Sequence, residues 1–131
     1  MPHRIGVDLV SISDVESALK SHAERYLARI YTARELGDCK QGGQVSAQRL
    51  AARFAAKEAT LKVLRPADEA IPWREIEVVG GHAGSPVGLK LAGRAAEKAL
   101  EADVTSLALT VTHEAGLASA VVVANCNPRV R

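Results

Sequence analysis

Aromatic residues are scarce in this chain: one Trp, one Phe and two Tyr among 131 residues. Binding single-stranded nucleic acid by base stacking needs more platforms than that. A strong charge of one sign is also missing. The formal net charge is +2, too weak for the electrostatic footprint of a nucleic-acid binder. The only two cysteines, Cys39 and Cys126, lie far apart without metal-ligand spacing and read as free cytosolic thiols, with a disulfide between them as the alternative. No apolar run reaches the roughly 20 residues of a membrane span. Arg4 and Asp8 break the only early apolar run, so no signal peptide is expected. No GxxxxGK[ST] phosphate loop is present, so little supports a generic Mg²⁺-dependent nucleotide hydrolase. These absences point to a soluble cytoplasmic domain.

What the chain does have is a core. Hydrophobic residues make up 47%, mostly Ala, Val, Leu and Ile, enough for a single domain spanning 1–131. Its core runs from about residue 4 to 124, with a tail at 125–131. Residues 4–10 (RIGVDLV) alternate as a strand, with Ile5, Val7 and Leu9 on one face and Gly6, Asp8 and Val10 on the other. Ser13 and Glu16 form a capping-box pattern that opens a helix to about Leu19. A second short helix covers Ala23 to Ile30, and Thr32 with Glu35 caps a third segment. Gly42-Gly43-Gln44 marks a loop. Ile71 to Val79 reads as a strand with Ile76 and Val78 inward. A turn-rich stretch with Gly80, Gly81, Gly84 and Pro86 leads to a returning strand at Val87–Leu91. Gly93 to Ala102 is helical. Ser106 to His113 and Leu117 to Ala124 are strands joined by a turn at Glu114-Ala115-Gly116. The order predicts an α+β fold with a largely antiparallel sheet packed on a long central helix.

That helix is RLAARFAAKEATLKVL, Arg49 to Leu64, with Ser46 as N-cap and Pro66 just past its end. It is apolar almost all the way round, which predicts burial. Yet Arg53, Lys57, Glu58 and Lys62 interrupt it, and buried charges cost several kcal/mol unless paired, hydrated or bound. Glu58 and Lys62 are four apart and share a face. They read either as a surface ion pair worth roughly 0.2–0.5 kcal/mol or as functional groups. Asp8 is out of place inside a short apolar strand. It reads either as a water-facing residue of an edge strand or as a partner for Glu58. Two converging carboxylates would suit Mg²⁺, which takes one or two carboxylates and lets phosphate oxygens complete its shell. Lys62 and Arg53 would then be nearby cations for phosphate charge. His113, Thr110 and Thr112 are ordinary on a strand by themselves.

Six segments in one order say more than any of these residues alone: IGVDLV at 5–10, YTARE at 31–35, RFAAKEATLK at 53–62, WREIEV at 73–78, GSP at 84–86 and TVTHE at 110–114. Together they resemble the holo-acyl-carrier-protein synthase type of 4′-phosphopantetheinyl transferase, over Ile5 to about Ala124. The resemblance implies that fold, and transfer of 4′-phosphopantetheine from coenzyme A to a serine of an apo acyl carrier protein of fatty-acid or polyketide type. Adenosine 3′,5′-bisphosphate would be released. It also implies Mg²⁺ on Asp8 and Glu58, Lys62 as the residue neutralising or protonating the leaving phosphate, and coenzyme A contacts from Arg53, Pro86, Thr112 and His113. A homotrimer with sites at subunit interfaces is implied as well. Two departures stand out. Asp14 occupies a position where relatives often carry Arg, and Leu64-Arg65-Pro66 replaces a glycine-bearing Ala-Leu-Gly. A non-catalytic module binding coenzyme A or a carrier protein is the alternative these departures allow.

Overall fold

A computed structural model describes residues 2–67, 69–81 and 85–128. Gly84 of the GSP segment and the last three residues of the tail lie outside the described residues. Strand β1 (His3–Ser11) passes directly into helix α1 (Ile12–Ile30), which is followed by a short α2 (Ala33–Asp38) and a small hairpin, β2 (Lys40–Gln41) and β3 (Gln44–Val45). The central helix α3 (Ala47–Leu64) comes next. Strands β4 (Ile76–Val79) and β5 (Gly88–Leu91), helix α4 (Gly93–Glu101) and the long hairpin β6 (Val104–Glu114) and β7 (Leu117–Cys126) complete the chain. All strand pairs are antiparallel. Among the described residues they form three sheets, the largest ordered β1-β7-β6. Among the described residues no helix is long and apolar enough to cross a membrane.

The main sheet packs on α3 through small residues. Ala118, Ala120, Val122 and Ala124 of β7 face Ala51, Ala55 and Ala59 of the helix, all at most 1% exposed. Alanines on both sides let sheet and helix approach closely. Leu107, Leu109 and Val111 of β6 pack at the edge of this core, as their alternation predicts. A second cluster, Leu64, Ile71, Ile76 and Ala95, sits under α4 and the β4–β5 pair.

The predicted caps mostly hold. Thr32 and Glu35 make the reciprocal capping box, and the Ser46 hydroxyl accepts from the Arg49 amide. The first helix differs. It begins at Ile12, because β1 pairs through Ser11 and the Ile12 amide bonds the Gly116 carbonyl at 2.9 Å. Ser11 is therefore the N-cap position, and the Ser13 hydroxyl meets the Ser11 hydroxyl rather than capping. The two predicted helices form one run broken by a kink at His22 (φ −145°, ψ 40°), in the gap between them. The predicted strand from Ile71 shortens to Ile76–Val79. Pro72 has no N–H for a ladder, and Trp73–Glu75 wind into a single 3₁₀ turn instead. The expected tail begins later, since β7 runs through Cys126, whose amide bonds the Pro2 carbonyl. Both cysteines are free and buried; burial pushes the Cys39 thiol up to about 11.

One buried ion pair links four elements. The Lys57 and Glu35 side chains are both fully buried, with the Lys57 ammonium 2.7 Å from Glu35 Oε1. The ammonium also donates to the Trp73 carbonyl (3.1 Å) and the Ile76 carbonyl (2.5 Å). Glu35 Oε1 accepts from the Thr32 amide, and Oε2 accepts from the Val78 amide at 2.9 Å. Lys57 thus spends all three N–H groups, and both Glu35 oxygens are engaged. Burial pulls the Lys57 ammonium below its ordinary value, opposed by the Glu35 carboxylate. Removing one member of such a pair strands the other charge without water. Lys57→Met is expected to lower the unfolding free energy by about 3–5 kcal/mol, and Lys57→Met combined with Glu35→Gln to recover part of it. Urea denaturation of both variants checks this, and a double variant no better than the single one contradicts it.

Candidate active site

Gly6 sets the geometry of the site. Its Cα faces α3, and a Cβ there would collide with the Ala59 carbonyl. Only glycine lets β1 lie this close to the helix backbone. Asp8, two residues along, points to the same side of the strand and arrives beside the last turns of α3. Lys62 reaches back across the gap. Its ammonium donates to the Val7 carbonyl at 2.7 Å and to Asp8 Oδ1 at 3.0 Å. The ammonium therefore pairs with the strand carboxylate, not through the i,i+4 pairing with Glu58 that the helix spacing suggests. Asp8 is on an edge strand, as one reading held, but its side chain is only 16% exposed while that of Lys62 is 53% exposed. The Ser119 hydroxyl donates to the Asp8 carbonyl at 3.1 Å, fastening this point of β1 to its neighbour.

Asp8 and Glu58 line one cavity of about 350 Å³, together with Val10, Asp14, Tyr26 and Phe54. The Glu58 carboxyl is raised above its ordinary value, first by burial and then by the charge of Asp8, with Lys62 pulling the other way. The two carboxylates are thus near enough to repel. Phe54 precedes Glu58 by one helical turn, so its place was implicit in the spacing. Tyr26 was not foreseeable; it comes from α1 and is held by tertiary contacts. The Tyr31 hydroxyl donates to the Leu50 carbonyl (3.0 Å), which leaves the Tyr26 hydroxyl to donate to Tyr31 (2.8 Å).

The other predicted site residues fall elsewhere. Arg53 does not line the carboxylate cavity with Asp8 and Glu58. Five residues from Glu58 on a helix is a rotation of roughly 140°, so the two side chains leave α3 in different directions. Arg53 Nη2 donates to the Gly80 carbonyl at 3.0 Å and lies 3.8 Å from Asp38 Oδ2. Its Nε is buried without a hydrogen-bond partner among the described residues. Pro86 belongs with this group, because its carbonyl sits where a Gly80 side chain would project. Thr112 and His113 form a third group at the end of β6. They line a separate hollow with Leu9, Leu117 and Ser119, and His113 Nε2 lies 2.9 Å from Gln48 Nε2. Leu9 borders both this hollow and the carboxylate cavity. The structure therefore joins Asp8, Glu58 and Lys62 but leaves Arg53 with Pro86, and Thr112 with His113, as two further groups.

Chemically, the first group is two oxygen-donor carboxylates with one ammonium against them. Among the described residues no cluster of three or more His, Cys, Asp or Glu could hold a metal. A two-carboxylate set fits a hard cation whose remaining positions go to water and a phosphorylated substrate. Helix and strand thus bring two carboxylates and an ammonium to one place. The profile of the 4′-phosphopantetheinyl transferase superfamily matches residues 4–118. The chain is 41% identical to the holo-[acyl-carrier-protein] synthase of Chloroflexus aurantiacus, covering 91% of this chain and 95% of that one. Identity to the Desulforudis audaxviator enzyme of the same name is 38%, covering 92% and 90%. Among solved structures, the Chronobacterium ammoniagenes ACPS–CoA complex superposes with a TM-score of 0.82 at 25% identity, over 98% of this chain and 100% of that one. The Helicobacter pylori holo-[acyl-carrier-protein] synthase in complex with coenzyme A gives 0.79 at 28%, over 93% and 100%. This chain belongs to the 4′-phosphopantetheinyl transferase superfamily and is an enzyme of its holo-[acyl-carrier-protein] synthase type.

The close approach at Gly6 is testable. Gly6→Ala is expected to cost about 1–3 kcal/mol by overpacking and to move Asp8 away from Lys62 and Glu58. Thermal melting reads the first effect and transfer activity the second; a variant with native stability and full activity contradicts the assignment.

Proposed function

We propose that this protein moves 4′-phosphopantetheine from coenzyme A to a serine of an apo acyl carrier protein, in a Mg²⁺-dependent reaction releasing adenosine 3′,5′-bisphosphate. The observation that carries this reading is the convergence of Asp8, Glu58 and Lys62 at the crossing of β1 and α3. Asp8 and Glu58 would hold Mg²⁺, which when bound would neutralise the coenzyme A pyrophosphate. The serine oxygen bonds to the phosphorus on the pantetheine side. The bond from that phosphorus to the adenosine-side phosphate oxygen breaks. Lys62, already at the carboxylates and half-exposed, meets the negative charge that develops on the leaving oxygen. Two acceptors suit the serine proton: a water held at the carboxylates, and Glu58, whose proton affinity is raised by burial and by Asp8. Phosphoryl transfer asks mainly for positioning and charge neutralisation, which this set supplies.

Arg53, which donates to the Gly80 carbonyl, and Pro86, whose carbonyl lies against Gly80, would contact coenzyme A. Thr112 and His113 are the remaining proposed contacts. A homotrimer would gather the three groups into shared sites. The outer face of the β1-β7-β6 sheet supports this, because Ile5, Val7 and Leu9 are 67%, 52% and 64% exposed in a row. A contiguous apolar stripe of that kind marks an interface. The carriers would be of fatty-acid or polyketide type, and the setting cytoplasmic.

Incubation with coenzyme A, Mg²⁺ and an apo carrier protein is expected to add one phosphopantetheine to the carrier, read by intact mass spectrometry. No adduct on any of several fatty-acid and polyketide carriers would refute the proposal. Asp8→Ala and Glu58→Ala are each expected to lower kcat/KM by about 100-fold or more without shifting Tm by more than a few degrees; near-normal rates in either variant contradict the metal assignment. Val7→Lys on the exposed sheet face is expected to yield monomers by light scattering with size exclusion, and an unchanged mass would argue against this face as the interface.

A further inference from the structure

The Asp8 carboxylate already carries a cation of its own. Lys62 lies four residues beyond Glu58, yet its ammonium bypasses that neighbour and bonds Asp8 Oδ1 at 3.0 Å and the Val7 carbonyl at 2.7 Å. Asp8 is mostly enclosed, whereas the lysine side chain is about half open to solvent. Arg53, the other candidate cation, is turned to Gly80 and Asp38 and cannot share the task. The ammonium therefore neutralises one of two repelling carboxylates, and it occupies one of the oxygens a divalent cation would want.

We propose that Lys62 is the resident counter-ion of the carboxylate pair: it holds Asp8 while the site lacks a divalent cation, and the incoming cation displaces it. This rests on the reading above that Asp8 and Glu58 form the metal site. Positive charge beside a cation site weakens cation binding. Lys62 thereby makes the empty site stable at the expense of metal affinity, and it couples metal arrival to delivery of an ammonium for the substrate's phosphates. The substrate's phosphate then supplies the charge that replaces Asp8 as the partner of Lys62.

The test needs no turnover. Mn²⁺, a probe that accepts the same oxygen ligands, is titrated into the protein without coenzyme A or carrier. Free Mn²⁺ is counted by its EPR signal, with Mg²⁺ added in competition. Lys62→Met and Lys62→Gln are each expected to bind Mn²⁺ about tenfold more tightly than wild type at low ionic strength, although both impair transfer. Lys62→Arg, which keeps the charge, is expected to stay near wild type. Thermal melts establish that the variants are folded. Equal or weaker binding in the Met and Gln variants, with Asp8→Asn still abolishing it, overturns the counter-ion role alone. Binding untouched by Asp8→Asn overturns the metal assignment and this inference with it.

Discussion

The buried Lys57–Glu35 pair is the constraint on which the rest of the structure depends. It ties α3 to the N-terminal cap of α2, to the 3₁₀ turn at Trp73 and to the first and third residues of β4. None of these segments is long, and β4–β5 pairs over only four residues. A short two-stranded ladder is marginal without support. The pair supplies it by satisfying the Trp73 and Ile76 carbonyls and the Val78 amide in a region without water. An apolar replacement would pack as well, but it would leave those backbone groups unsatisfied.

That arrangement divides the labour of α3 among its faces. The alanine face meets the main sheet, Lys57 faces the β4 side, and Glu58 with Lys62 faces β1. Lys57 and Glu58 are neighbours in sequence with opposite fates. One is enclosed and its charge is consumed internally; the other opens on a cavity, where burial and Asp8 raise its proton affinity. The same helix thus carries structural and chemical charges a rotation of roughly 100° apart. The departure at Leu64-Arg65-Pro66 has a visible consequence. Arg65 takes the left-handed conformation (φ 51°) that ends the helix, a conformation that favours glycine.

The site is equally a matter of close approach. Gly6 lets β1 touch the helix backbone, and that contact aims Asp8 at α3. It also turns Ile5, Val7 and Leu9 outward, so the apolar face of the strand is the one exposed. Hydrophobic alternation said that β1 has two unlike faces. It could not say that the face with glycine and aspartate is the inner one, because that choice is made by backbone fit against α3.

Much was legible in the residues themselves. Periodicity located the central helix, the β6–β7 hairpin and the inward Ile76 and Val78, and the caps at Thr32 and Ser46 follow from side-chain chemistry within one turn. Glu58 and Lys62 on one helical face, and Asp8 as an anomaly in its strand, were readable for the same reason: each depends on neighbours a few positions away. Long-range pairings were not readable. That Lys62 bonds Asp8 across 54 positions, that Lys57 has Glu35 as partner, that Arg53 turns to Gly80 and that Tyr26 walls the cavity all depend on how elements pack. Local sequence determined which elements form and which charges they carry. Only the tertiary structure decided which charges meet, because burial is a property of the packed assembly and not of any one segment.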